Sequence, residues 1–199
     1  MIELGQALGC EVVLAFLRAE IDSPRYSDHI VWQLKSSCLS RTQLIDDPDL
    51  NNENHNFIRL AMLDYRGLRN RGALFHKFPA DVLWRRVELE PHELGRLKYI
   101  SKDENWMSFS EGTRSPSRVA ERIANHELLE NPGPGIIAIQ EKLRQGERFP
   151  ELIVAGGNGN DLILIEGHYR ATAYVGLTWA ENIPMFLGSS PQMHKWHWF

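Results

Sequence analysis

Cysteine is scarce. Cys10 and Cys38 are the only two in 199 residues, and neither lies in a Cys-x-x-Cys spacing. No thiolate metal knuckle can be read from them, and a bridge between them is not needed at this chain length. The expectation is two incidental thiols in a reducing compartment. Long apolar runs are missing as well. None approaches the roughly 20 residues of a membrane span. Glu3 and Gln6 interrupt the start, so no signal peptide is expected and the predicted setting is cytoplasmic. A basic excess is also lacking: 22 Lys and Arg stand against 26 Asp and Glu, a net charge of −4 with His neutral. A stripe wrapping duplex DNA is therefore not expected, while a local basic pocket for a nucleotide stays open. Fixed-period repeats and low-complexity segments are absent too. With 43% hydrophobic residues, a core can form without staples.

The apolar spacing divides the chain into two textures. Residues 3–21 read as one amphipathic helix through Leu4, Leu8, Val12, Ala15 and Leu17. Ser23-Pro24 stops it and starts a second helix through Ile30, Trp32 and Leu34. Residues 40–56 read as a polar loop, and helical spacing returns from Phe57 to about Gly67 or Gly72. Residues 1–78 are thus expected as a helical N-terminal region that covers one side of the rest or meets a protein partner. From Val82 to Leu89 the pattern is that of a strand, and Glu90-Pro91 opens a helix running to Ile100. Residues 101–118 look irregular and 117–129 helical. After Asn131-Pro132-Gly133 come a helix to Gly146 and a strand at 152–155. A hairpin turn at Gly156 to Asp161 leads to a returning strand at 162–165, then a helix from His168 and a last strand from Ile183 to Leu187. Short strands mixed with helices predict an α+β fold, a small mixed sheet with helices over 79–199.

Chemistry concentrates where strand 162–165 meets Glu166-Gly167-His168-Tyr169-Arg170. Gly167 lets the backbone bend and a ligand approach. A helix starting at His168 directs partial positive charge forward, which suits an anion. Arg170 adds a planar fork for phosphate oxygens and is expected to face solvent. His168 is a further donor, and Glu166 can hold a metal ion or a proton. The plainer alternative is an ordinary strand-to-helix turn with a satisfied histidine.

These residues resemble a known family. Ile139 to Gly146 followed by Phe149 to Val154, then Leu162 to Leu177, then Asn182 to Leu187, look like the successive elements of ParB/sulfiredoxin-like domains. The likeness runs over 136–188, is weaker over 82–135 and does not reach 1–75. Sulfiredoxins carry Gly-Cys-His-Arg; His168 stands at the thiol position, so sulfinic-acid reduction is not implied. Chromosome-segregation ParB proteins carry Gly-Glu-Arg-Arg and continue into a helix-turn-helix, which is not seen after the last strand here. The free-serine-kinase-like branch, with Asp-Gly-His-His-Arg, is nearest to Glu166-Gly167-His168-Tyr169-Arg170. That resemblance implies ATP or CTP phosphates at Gly167, His168, Tyr169 and Arg170, with Glu166 near Mg²⁺ and Glu166 and His168 as the catalytic candidates. The implied function is a nucleotide-binding protein with phosphotransferase or phosphohydrolase chemistry. The alternatives are a non-catalytic regulatory or interaction module, or a ParB-like DNA-processing protein.

Other candidates carry less. Arg114, in Gly112-Thr113-Arg114-Ser115-Pro116, stands either as a second phosphate contact or as an exposed loop arginine. His194 and His197 permit metal ligation at helical spacing, but Trp196, Trp198 and Phe199 around them argue for a docked hydrophobic tail. Arg66, Arg69 and Arg71 read as a nucleic-acid contact or as a solvated helix end. Asp46, Asp47 and Asp49 lack the glycine and glutamate spacing of a calcium loop.

Overall fold

The structure, a computed structural model, describes residues 1–23, 26–69, 72–156 and 160–199. Pro24 and the tip of the 156–161 turn, both assigned from the sequence, lie outside the described residues, as does Arg71. The fold is α+β. Its centre is two adjacent strands, β4 (Leu152–Gly156) and β5 (Leu162–Glu166), paired antiparallel. Both are buried along nearly their whole length, because alternate residues face opposite sides of the sheet and both sides are covered. Leu152, Val154, Leu162 and Leu164 enter one apolar cluster, while Ile153, Ala155, Ile163 and Ile165 enter another.

Around this pair the sheet is mixed. Among the described residues it has six strands, in the order β1 (Ile2–Ala7), β2 (Leu83–Leu89), β6 (Ile183–Ser189), β4, β5 and β3 (Leu97–Lys98). The β4–β6 and β3–β5 pairs are parallel and the others antiparallel. One face is covered by α1 (Gly9–Glu20), α2 (Ser27–Ser37) and α3 (Glu53–Met62), with Phe75, Phe78 and Trp196 joining their cluster. The other carries α4 (Glu104–Phe109), α5 (Pro116–Ala124), α6 (Gly133–Arg144) and α7 (His168–Gly176).

Four expectations need correction. The single helix over 3–21 is a strand followed by a helix. Gly5 disfavours helix, and the free edge of β2 accepts Ile2–Ala7 as a sixth strand with an irregularity between Glu3 and Gly5. Glu11 then accepts a hydrogen bond from the Leu8 amide at 2.7 Å, which fixes the start of α1. The loop over 40–56 contains a π-helical turn, Thr42–Asp46, that buries Leu44 and Ile45. The helix to Ile100 is a 3₁₀ turn, Pro91–Arg96, after which Leu97 and Lys98 join the edge of β5. The irregular 101–118 segment contains α4, whose cap is Asp103 accepting from Asn105 and Trp106 at 3.0 and 3.1 Å. The tail docks: Trp196 Nε1 donates to the Leu74 carbonyl at 2.7 Å, and Trp198 Nε1 to Ala73 at 2.9 Å.

Candidate phosphate-binding turn

β5 delivers Glu166 at the end of an inner strand, and the chain turns at Gly167 with φ 102° before α7 begins. An L side chain is strained there, and a Cβ on Gly167 would lie 2.4 Å from Leu152 Cδ2 and 3.2 Å from an Arg170 nitrogen. The space beside Gly167 is therefore filled by the protein itself. This corrects the expectation that the glycine's missing side chain opens a path for a ligand on that side.

Arg170 is also placed differently from the sequence reading. It is 6% exposed rather than solvent-facing. One terminal nitrogen donates to the Pro150 carbonyl and, at 3.3 Å, to that of Glu151; the other reaches Glu166 Oε1 at 3.4 Å. The fork thus ties α7 to the segment entering β4. The reason is geometric: the first turn of α7 points back onto the sheet, so an i, i+4 partner of Glu166 is covered by the strands.

Glu166 is held from a second side. Its Oε2 lies 3.9 Å from a guanidinium nitrogen of Arg66, which also pairs with the buried carboxylate of Glu20 at 3.2 Å. Arg66 takes a further contact with the Tyr26 hydroxyl at 2.5 Å, and Tyr65 donates to Glu20. Burial alone would lower the Arg66 pKa, but Glu20 and Glu166 hold it above the ordinary arginine value. Burial and then Glu20 push the Tyr65 phenol far up. Neither reading of Arg66 as a nucleic-acid contact or a solvated helix end survives. Sequence reasoning missed Arg66 and Glu20 as parts of this site. The available signal was Glu20 one turn past Phe16, close to the apolar face of α1.

His168 and Tyr169 sit in an aromatic group. The His168 ring stacks on Tyr99 with centroids 5.5 Å apart and planes 5° apart, and Trp106 lies 5.2 Å away. Thr172 donates its hydroxyl proton to the His168 carbonyl at 2.7 Å, so the buried Tyr99 hydroxyl donates to Thr172, at 2.5 Å. Burial pushes the Tyr99 phenol well above its ordinary value. Tyr169 donates to Asn131 Oδ1 at 2.5 Å, and its ring lies against Gly135 of α6, where a Cβ would come within 2.8 Å.

Arg114 is neither a plain exposed loop residue nor in contact with the turn. It adopts φ 59°, and its Nε donates to the Tyr99 carbonyl at 2.8 Å while the Tyr99 amide donates back to the Arg114 carbonyl. One terminal nitrogen, Nη2, is buried with no hydrogen-bond partner among the described residues. Burial lowers the Arg114 pKa. Arg114 joins the others only through Tyr99.

The arrangement unites Glu166, Gly167, His168, Tyr169 and Arg170 as expected, with Glu166 and Arg170 committed to protein partners. A Mg²⁺ ion at Glu166 would compete with Arg170 at one carboxylate oxygen or with Arg66 at the other. Among the described residues the one cluster with metal-ligand spacing is Glu90, His92 and Glu93, away from this turn, and Glu93 already pairs with Arg96. His194 and His197 form no such cluster. No helix is long and apolar enough to cross a membrane among the described residues. No family model matches the chain, and no curated protein or solved structure matches it.

Proposed function

We propose that this protein binds the phosphates of a nucleotide, ATP or CTP with Mg²⁺, at the start of α7, as the ParB/sulfiredoxin-like resemblance implies. The observation that carries this reading is the passage from buried β5 through left-handed Gly167 directly into α7. It sets the positive end of a helix dipole at the end of an inner strand, where anions are favoured. In this reading Arg170 and Glu166 shape the turn, and the helix end takes the anion. A phosphotransferase or phosphohydrolase step would further require Arg66 or Arg170 to release Glu166. A cytoplasmic setting fits two free cysteines.

A second reading is a regulatory or interaction module without turnover. Arg66 favours it, since residues 1–78 reach the turn through this side chain and could report its state. The test is a thermal-shift and isothermal-titration panel of ATP, CTP, pyrophosphate and the matching nucleosides, with and without Mg²⁺. The triphosphates and pyrophosphate should stabilise the protein and the nucleosides should not. Phosphate release with Mg²⁺ separates an enzyme from a module. If no phosphate compound binds, the turn is not a phosphate site.

A further inference from the structure

A second place in the fold has the build of a ligand site, on the side of the sheet covered by α1 and α3. A cavity of about 510 Å³ opens between α1, α3 and the 75–84 segment. That volume lies within the range of roughly 300–1,000 Å³ of small-molecule pockets. Its interior is walled by Phe16, Phe75, Phe78 and Trp84, with Ile153 of β4 as the floor. These rings hold one another: Phe75 meets Phe78 edge-on at 5.2 Å, and Phe78 stacks on Trp84 at 6.3 Å. The wall is thus preformed rather than assembled on binding.

The mouth differs from the interior. Phe57 and Arg69 both line the cavity and both reach solvent, Phe57 being 59% exposed and the Arg69 side chain 43%. The Arg69 guanidinium lies over the Phe57 ring at 5.4 Å. Asp64 takes one edge of that guanidinium, and an arginine has five N–H donors to share. Arg69 is the one charged group lining the cavity among the described residues. Asn56 also lines it, but its amide is already used by the Leu50 carbonyl and by Arg59. An apolar interior with a single cation at its entrance matches an amphiphile whose charge is negative.

The geometry points to this cavity as the binding site for a small apolar monocarboxylate, its hydrocarbon part among the four rings and its carboxylate on Arg69. The apolar part supplies affinity by leaving water, and the arginine selects the acid over a neutral analogue.

The experiment is isothermal titration of the full chain with octanoate and with octanol at matched ionic strength. Octanoate should bind about tenfold more tightly than octanol, the gain of one charge-assisted contact. Arg69→Gln should weaken octanoate about tenfold and leave octanol unchanged. Leu60→Trp, which fills the cavity from α3, should abolish both heats while the far-ultraviolet circular dichroism stays as in the wild type. Equal affinity of the wild type for acid and alcohol would overturn the proposal, as would octanoate binding that survives Leu60→Trp or no heat with either compound.

Discussion

On the side of the sheet covered by α5, α6 and α7, the helices lie close in sequence to the strands they pack on, and one polar link between them runs through hydroxyls: Tyr99 to Thr172 to the His168 carbonyl. On the opposite side, α1 packs on β4, more than 100 residues later in the chain, and what joins this side to the turn is charge: Glu20 to Arg66 to Glu166. Both chains end at the same turn. The hydroxyl link helps order α7, and the buried Arg170 guanidinium ties the same helix to the segment entering β4. The charged side fixes the N-terminal helices to the turn and leaves buried groups dependent on one another. The comparison implies that the turn is braced from two directions, and that the charged brace from residues 1–78 runs through Arg66.

The largest effect should come from Gly167, which serves both sides at once. Gly167→Ala meets left-handed strain and a Cβ contact of 2.4 Å with Leu152. A loss of about 4 kcal/mol is expected from the two together, read as a drop in urea midpoint. An unchanged midpoint would mean that the turn yields easily and is not braced.

Arg66 and Arg170 come next and test the two charged contacts to Glu166 directly. Arg66→Ala leaves the carboxylate of Glu20, 2% exposed, without its cation. Arg170→Ala strips the Pro150 and Glu151 carbonyls and Glu166 of a donor. Each should cost about 3 kcal/mol in chemical unfolding. Because both meet Glu166, the double variant should cost less than the sum by about 1 kcal/mol. Strict additivity would separate the two contacts. Arg170→Lys should recover part of the loss, since an ammonium cannot reach two carbonyls and a carboxylate in one plane.

These residues also mark where the sequence was legible. The strands at 152–156 and 162–166, their antiparallel pairing and the helix from His168 follow from apolar runs broken by glycine, and all are found. The order of the turn residues was equally readable, because a local motif needs no partner elsewhere. Their environment was not. Whether Arg170 faces solvent depends on where Pro150 and Glu151 lie, and whether Arg66 is solvated depends on Glu20, 46 positions earlier. Such pairs leave no periodic trace. The strand at Ile2–Ala7 was missed for a related reason: it forms only because β2 offers an edge.

The smallest effect is on pH dependence and falls on the two sides alike. The phenols of Tyr65, on the charged side, and Tyr99, on the hydroxyl side, are both raised by burial. A raised folded value means that stability is full below the unfolded tyrosine value of about 10 and falls as pH rises above it. Tyr65→Phe and Tyr99→Phe should each flatten the alkaline limb of the stability curve. Because burial keeps both phenols protonated in the folded protein throughout the working alkaline range, the two substitutions should flatten it equally. Unequal flattening would mean that one of the two phenols ionises while the protein is folded.

The most direct test of the turn itself is a ¹⁵N–¹H correlation spectrum recorded through a pyrophosphate titration of the wild-type protein. If the start of α7 takes the anion, the amides of Gly167, His168, Tyr169 and Arg170 should shift together along one saturable curve. Saturable shifts elsewhere with these amides unmoved, or no saturable shift at all, would contradict the account.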